Sequence, residues 1–416
     1  MAACLFLLYL LIGCFCIIRI RFIRKSGLSY QLILFLFLVK VAAGCFLGLV
    51  NHYIFHNGTD YDVYNRLGME EHHILFSDPY RFFTDIFKSN YNKYGEFFAS
   101  SGSYWNDLRT NIIFKVLAFL NFFSAGNYYI NSLFFNFFCF FGHIALYRVF
   151  MHSFTGKKWP VIIGCFFLPS FLFFSSGIHK DLIVFTALAI FCYSMYFSLA
   201  CEFSRKRIFF LVLSFLMILL IRNFIAIILI PFTLAWLISA KYPIYAIKIF
   251  TLSIFILLIG VIFLHNIHKA DPLVLVTEKQ QAFLSLGKGT TFYNNDTLRP
   301  DFQSYITAAP KAFRHAFLSP YPGEFHSLMN FFASEIFLYA ALFILFIFMP
   351  ARDEIRCKEF IVFAIFFSFV SFMLSGYIST TAGAIIRYRS IYLPFMITPL
   401  LASIQWEKIT EFLNIK

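Results

Sequence analysis

Charge is scarce in this chain of 416 residues: only 13% are Asp, Glu, Lys or Arg, while 60% are hydrophobic. That balance excludes an ordinary soluble domain, whose core has no use for so much apolar material. Paired metal-ligand spacing is missing as well. The nine cysteines lie mainly inside apolar runs, as Cys45, Cys139, Cys165 and Cys192 do, so neither a zinc framework nor a redox compartment can be read from them. Cys14 and Cys16 read as small apolar residues of a span. No internal repeat is strong enough to mark an inverted-repeat transporter. No basic residue precedes the first apolar run, and Arg19, Arg21, Arg24 and Lys25 follow it. This is the reverse of a cleavable signal peptide, so the run is expected to remain as a span.

What is present is a series of about eleven apolar runs near the ~20 residues that a helix needs to cross a bilayer. The expected fold is an all-α polytopic membrane protein, a single membrane domain over 1–416. Spans are expected near 2–18, 31–50, 128–150, 159–176, 180–200, 207–221, 224–239, 245–265, 329–349, 359–377 and 387–404. The net charge of +13 would suggest nucleic acid in a soluble protein, but here the Lys and Arg sit in short loops as orientation signals, and nucleic-acid binding is not expected. Arg19 to Lys25, Arg148, Lys157 and Lys158, Arg205 to Arg207, Lys241, Arg352, Arg356, Lys358 and Lys408 all fall on one side, which the positive-inside rule assigns to the cytoplasm. The N-terminus is then outside and the C-terminus cytoplasmic. Two large outer loops result, 51–127 and 266–328. The stretch Asn111 to Phe123, with Lys115 and Asn121, reads as an interfacial helix within the first. Pro272, Pro300, Pro310, Pro320 and Pro322 are expected to break the second into short pieces. Long loops that are not of low complexity are where function concentrates.

Three constellations carry chemistry. In Gly58-Thr59-Asp60-Tyr61-Asp62-Val63-Tyr64, Asp60 and Tyr64 share a helix face while Asp62 points elsewhere. A carboxylate at the membrane edge suits a general base acting on an acceptor hydroxyl; the alternative is a solvated helix start with Asp60 near its cap. In Ser175-Ser176-Gly177-Ile178-His179-Lys180-Asp181, a polar hinge separates two apolar runs. Lys180 and the free N–H groups of the next helix suit an anion such as a lipid phosphate, unless Lys180 only snorkels and Asp181 only caps. In Gly383-Ala384-Ile385-Ile386-Arg387-Tyr388-Arg389, two arginines enter an apolar helix and need a cavity or partners. Arg387 is the stronger candidate, Arg389 pairing structurally with Glu335 instead. Arg222 adds a cation to the same side, and Glu335 is itself an intramembrane carboxylate. Lys40 either snorkels or is buried with a partner. His72, His73, His315 and His326 lack metal-ligand spacing, and glycosylation sequons occur at Asn57 and Asn295.

Taken together, the Asp with a following Tyr after an early span, the surface helix, the Ser-Gly-x-x-Lys-Asp hinge, the segment Leu318-Ser319-Pro320-Tyr321-Pro322 and the late Arg-Tyr-Arg resemble bacterial envelope-polysaccharide membrane proteins. These include type-C (GT-C) glycosyltransferases and O-antigen polymerases. For the former, the resemblance implies sugar transfer from a polyisoprenyl-phosphate-linked sugar or oligosaccharide on the non-cytoplasmic face, with Asp60, or alternatively Asp62, as catalytic base. For the latter it implies arginines that engage a lipid diphosphate, here Arg387, Arg389 or Arg222. Tyr64, His179, Lys180 and Glu335 complete the expected substrate-binding set. No metal or other cofactor is expected, because the cations can neutralise phosphate charge. The resemblance places the chain among the membrane lipids of a bacterial inner membrane. A lipid-linked glycan transporter or flippase, binding the same phosphate without chemistry, is the competing class.

Overall fold

The computed structural model describes residues 2–56, 59–89, 103–201, 203–265, 267, 271–285, 291–293, 297–323, 328–351 and 353–412. Among them the chain is almost wholly helical, with two isolated antiparallel bridges and no strand. The principal helices are α1 (Ala2–Arg19), α2 (Tyr30–Tyr53), α3 (Asp60–Ser77), α4 (Tyr104–Ser124), α5 (Tyr128–Ser153), α6 (Pro169–Phe174), α7 (Lys180–Ala200) and α8 (Arg205–Ile221). They continue as α9 (Asn223–Lys241), α10 (Ala246–His265), α11 (Pro272–Leu284), α12 (Phe302–Leu318), α13 (Leu328–Phe348), α14 (Lys358–Ile378), α15 (Ala382–Ser390) and α16 (Leu393–Ala402). Eight of them, α1, α2, α5, α7, α9, α10, α13 and α14, are long and apolar enough to cross a bilayer. The chain is a multi-pass α-helical membrane protein, and the helical state follows from the need to satisfy every backbone group where water is absent.

The other three apolar runs are not single long helices. Residues 159–176 form a helical turn, a π-helical turn over Ile163–Phe167 and then α6. The interruption falls at Leu168, which is extended because Pro169 follows it. The run 387–404 is divided between α15 and α16, with Pro394 opening the second piece. The run 207–221 forms α8, which is continuous but only 17 residues long. In the second long loop α12 passes through Pro310 without ending, so the prolines divide that loop less than expected. The stretch expected as an interfacial helix is the larger part of α4, which packs along α3. There Lys115 is buried, bonded to Glu71 at 2.5 Å and lying over the Phe82 ring. Asn57, Asn295, His326 and Arg352 lie outside the described residues.

Membrane helices gain little from the hydrophobic effect among themselves, so packing and polar contacts hold them. Phenylalanine supplies much of the packing. Phe360, Phe363 and Phe367 recur on one face of α14, with Trp236 of α9 stacked on Phe363 at 4.7 Å and Phe250 of α10 at 6.4 Å from it. Polar contacts hold the hinge between α6 and α7. The ammonium of Lys40, buried in α2, donates to the Ser175 carbonyl at 2.6 Å, and Asn136 and Ser132 of α5 donate to the Ser176 carbonyl at 2.7 and 3.1 Å. Lys40 is thus buried with a partner. These carbonyls end α6 without intrahelical donors, and the three side chains supply them.

Gly44 makes this approach possible, because a Cβ there would stand 2.5 Å from the Ser176 oxygen. Gly44→Ala is therefore expected to destabilise the protein by about 1–3 kcal/mol. Gly260→Ala, on α10 with open space around it, is expected to be neutral or to stabilise by up to about 1 kcal/mol. Thermal unfolding of the two variants in one detergent checks the difference.

Candidate functional site

The two hinge residues that follow Gly177 and Ile178 open α7. His179 is its N-cap, with Nδ1 accepting from the Asp181 N–H at 3.2 Å, and Asp181 sits in the first turn, 2% exposed. A Cβ at Gly177 would collide with Leu47 and Tyr61, so the hinge fits closely against the start of α3. Thr59 caps α3 by position and bonds Asn51, which puts Asp60 in the first turn facing His179. The imidazole is fully buried, flanked by the Tyr61 and Tyr64 rings at 5.3 and 5.5 Å.

Around this pair the structure gathers charge from five elements. The Nε2 of His179 faces Asp60 Oδ2 at 3.4 Å, and its Nδ1 lies 2.9 Å from Asp181 Oδ2. Arg387 of α15 reaches Asp60 at 2.8 Å and, through Nε, Asp181 at 3.4 Å. Arg222, in the turn between α8 and α9, pairs with the other oxygen of Asp181 and lies over the Tyr388 ring at 4.2 Å. Arg109 of α4 donates to the Ile221 carbonyl at the end of α8 and joins Arg222 and Arg387 among the charges acting on Lys180. Lys279 of α11 also feels Arg109 and Arg222, and Phe283, one turn further on, packs against Tyr388 at 6.0 Å. Among the described residues, three guanidiniums that stay charged at any physiological pH lie close to two carboxylates, and Lys279 adds to the excess. Such a site attracts an anion.

The His179 hydrogen bond, with the charges of Arg387 and Lys180, holds the Asp60 carboxyl well below the usual carboxylate range, against the opposing effect of burial. Burial, and then the Asp60 charge, pushes the Tyr64 phenol up to about 12, so it stays neutral. Burial, and then repulsion from Arg109 and Arg222, pushes the Lys279 ammonium down to about 8.

Of the residues singled out in the sequence, Asp60, Tyr64, His179, Lys180, Arg222 and Arg387 come together here. Asp62 is half-buried on another face of α3. Arg389 is buried and donates to the carbonyls of Ala316 and Ser319 at 3.3 and 2.9 Å, holding the end of α12 to α15. Glu335 is not within ion-pair distance of it among the described residues; one of its oxygens accepts the Ser170 N–H at 3.1 Å near the start of α6 and the Tyr339 hydroxyl. Both are braces rather than parts of the cluster. Two of the other histidines singled out lie away from the cluster. His72 bonds the Ala118 carbonyl at 2.9 Å, and His315 is buried 4.4 Å from the Tyr293 ring. Sequence reasoning missed Arg109, Lys279 and Tyr388, and gave Asp181, within the hinge motif, no role beyond the alternative of a helix cap. The signal for Asp181 was its place one residue beyond Lys180; nothing in the loop composition distinguished Arg109 or Lys279.

The protein has no match among family models, curated proteins or solved structures.

The sign of the Asp60 effect gives a stability prediction. Its folded-state pKa is depressed, so its contribution is complete above the unfolded value and is lost as pH falls towards the folded one. Half of the side chain meets solvent, which screens the effect. The difference in melting temperature between the parent and Asp60→Asn is expected to be constant from about pH 8 to 5 and to shrink below about pH 4.

Proposed function

We propose that this chain is a membrane glycosyltransferase that transfers sugar from a polyisoprenyl-phosphate-linked donor on the non-cytoplasmic face of a bacterial inner membrane, in cell-envelope polysaccharide assembly. The observation that carries the reading is the excess of cations around Asp60, at the end of the bundle where both long loops meet. The opposite end holds the basic loops, with Lys157 paired to Asp353 and Glu407 and the Arg356 N–H bonded to Ser153. The positive-inside rule then makes the site the outer one. Eleven crossings, counting α8 and the two broken segments, put the termini on opposite sides.

In the proposed reaction the acceptor hydroxyl attacks the anomeric carbon, its proton passes to Asp60, and the bond to the carrier phosphate breaks with its electron pair leaving on oxygen. Arg109, Lys180, Arg222 and Arg387 stabilise the charge that develops there. With Arg387 upon it Asp60 is a weak base, and a phosphate that draws Arg387 away strengthens it. Three guanidiniums also suit the bidentate recognition of a diphosphate, which favours a repeat-unit polymerase as the second reading.

Sugar transfer by the purified protein in vesicles, from a polyisoprenyl-phosphate sugar to a glycan acceptor, tests the reading. Asp60→Asn is expected to lower kcat by about 10²–10⁴-fold, and Lys180→Met to weaken donor binding by about 10–100-fold. Undiminished turnover by a folded Asp60→Asn protein removes it as base, and donor binding without any transfer points to a transporter. Because Lys279 loses its proton near pH 8, affinity for farnesyl phosphate is expected to fall between about pH 7 and 9. In Lys279→Met that decline is expected to flatten, as isothermal titration will show.

A further inference from the structure

We propose that Asp181 is the positioning residue of this site: it touches no substrate, but fixes Arg387, which does, together with Arg222 and the buried imidazole that stand behind it. The proposal rests on the lipid-phosphate reading above and adds to it the group that sets the geometry. Asp181 is 2% exposed, so no ligand can reach it, whereas Asp60, 51% exposed, lies open to solvent. Its two oxygens are divided between partners. Oδ1 takes Arg222 from the α8–α9 turn, while Oδ2 faces Arg387 Nε from α15 and His179 Nδ1. Its own backbone N–H also points to His179 Nδ1 at 3.2 Å. Whichever of these the ring bonds, residue 181 directs Nε2 towards Asp60. Arg222 is held from below as well by the Tyr388 ring, so the carboxylate and that ring leave its guanidinium little freedom. One buried carboxylate thus aligns cations from two separate elements with the open face of the site, a supporting arrangement that binding sites need to hold their geometry.

The sign of one measurement separates this role from simple charge balance. By Coulomb's law alone, removing a carboxylate from an anion site tightens anion binding. If Asp181 positions the arginines, removing it weakens binding although the net charge becomes more favourable. Farnesyl phosphate is the probe, titrated into the full-length protein in detergent, with farnesol as the uncharged control and the melting temperature recorded alongside. Asp181→Asn is expected to bind farnesyl phosphate about tenfold more weakly than the parent. Asp181→Glu keeps the charge but shifts both guanidiniums by the length of a methylene; it is expected to be weaker by about threefold, and serves if the Asn variant does not fold. Unchanged or tighter binding by either folded variant overturns the proposal. A parent that binds farnesyl phosphate no better than farnesol overturns the lipid-phosphate reading instead. The positioning role is then decided by the imidazole ¹⁵N signals of His179, assigned with His179→Gln. An altered ring pattern in Asp181→Asn supports it, and an unaltered one overturns it.

Discussion

A carboxylate buried at the end of a membrane helix is tolerable only in company, and Asp181 finds that company on three sides. Desolvating one charge costs several kcal/mol, and the cost is offset only when partners are close and well directed. Arg222 and Arg387 come from different parts of the chain, so their shared dependence on Asp181 ties the α8–α9 turn and α15 to the first turn of α7. Removing Asp181 leaves Arg222 without a carboxylate, since Arg387 alone has a second one in Asp60 among the described residues. Both long loops reach this end of the bundle as well: Arg109 arrives with α4, and Lys279 and Phe283 arrive with α11.

This cluster requires α7 to begin where it does, and that start is set by the break after α6. A helix interrupted within the membrane domain leaves carbonyls that lipid cannot satisfy, and such breaks persist only where protein supplies donors. Here Lys40, Ser132 and Asn136 do so. With the end of α6 satisfied from α2 and α5, the chain turns through Gly177, and the free N–H groups and positive dipole end of α7 point towards the carboxylates and the space in front of them. A lysine deep in a span and a cluster at its rim are thereby parts of one construction.

Much of this was legible in the sequence, for a simple reason. Apolar runs near bilayer thickness give spans, and a charge placed at the edge of such a run is costly enough to stand out; Asp60, Lys180, Arg222 and Arg387 all have that position. The limits have the same origin. Arg109 and Lys279 lie in loops of mixed composition where a cation is unremarkable, and only the folding of those loops over the helix ends brings them in. Arg389 carried the same signal as Arg387 two residues away, but the helical repeat turns it to the other side of α15, where one of its nitrogens donates to backbone carbonyls and the charge of Glu335 acts on it. Broken segments such as 159–176 were read as continuous because hydropathy does not register what Pro169 does to the backbone before it.

The partners of Arg387 differ in one respect that bears on how a site so rich in charge can stay folded and still bind. Its contact with Asp181 is sealed from water, and its contact with Asp60 is half open. An anion entering from the open side can compete for the second contact while the first remains, so Arg387 exchanges one oxygen partner for another and is never left unpaired. The free energy of entry is then a difference between two similar interactions rather than the full cost of breaking an ion pair in a low dielectric. Asp60 gives up its cation in that exchange and keeps His179. Under the proposed reading, the step that seats the phosphate is therefore the same step that makes the carboxylate more basic, and the asymmetry between one buried and one exposed carboxylate is what couples them.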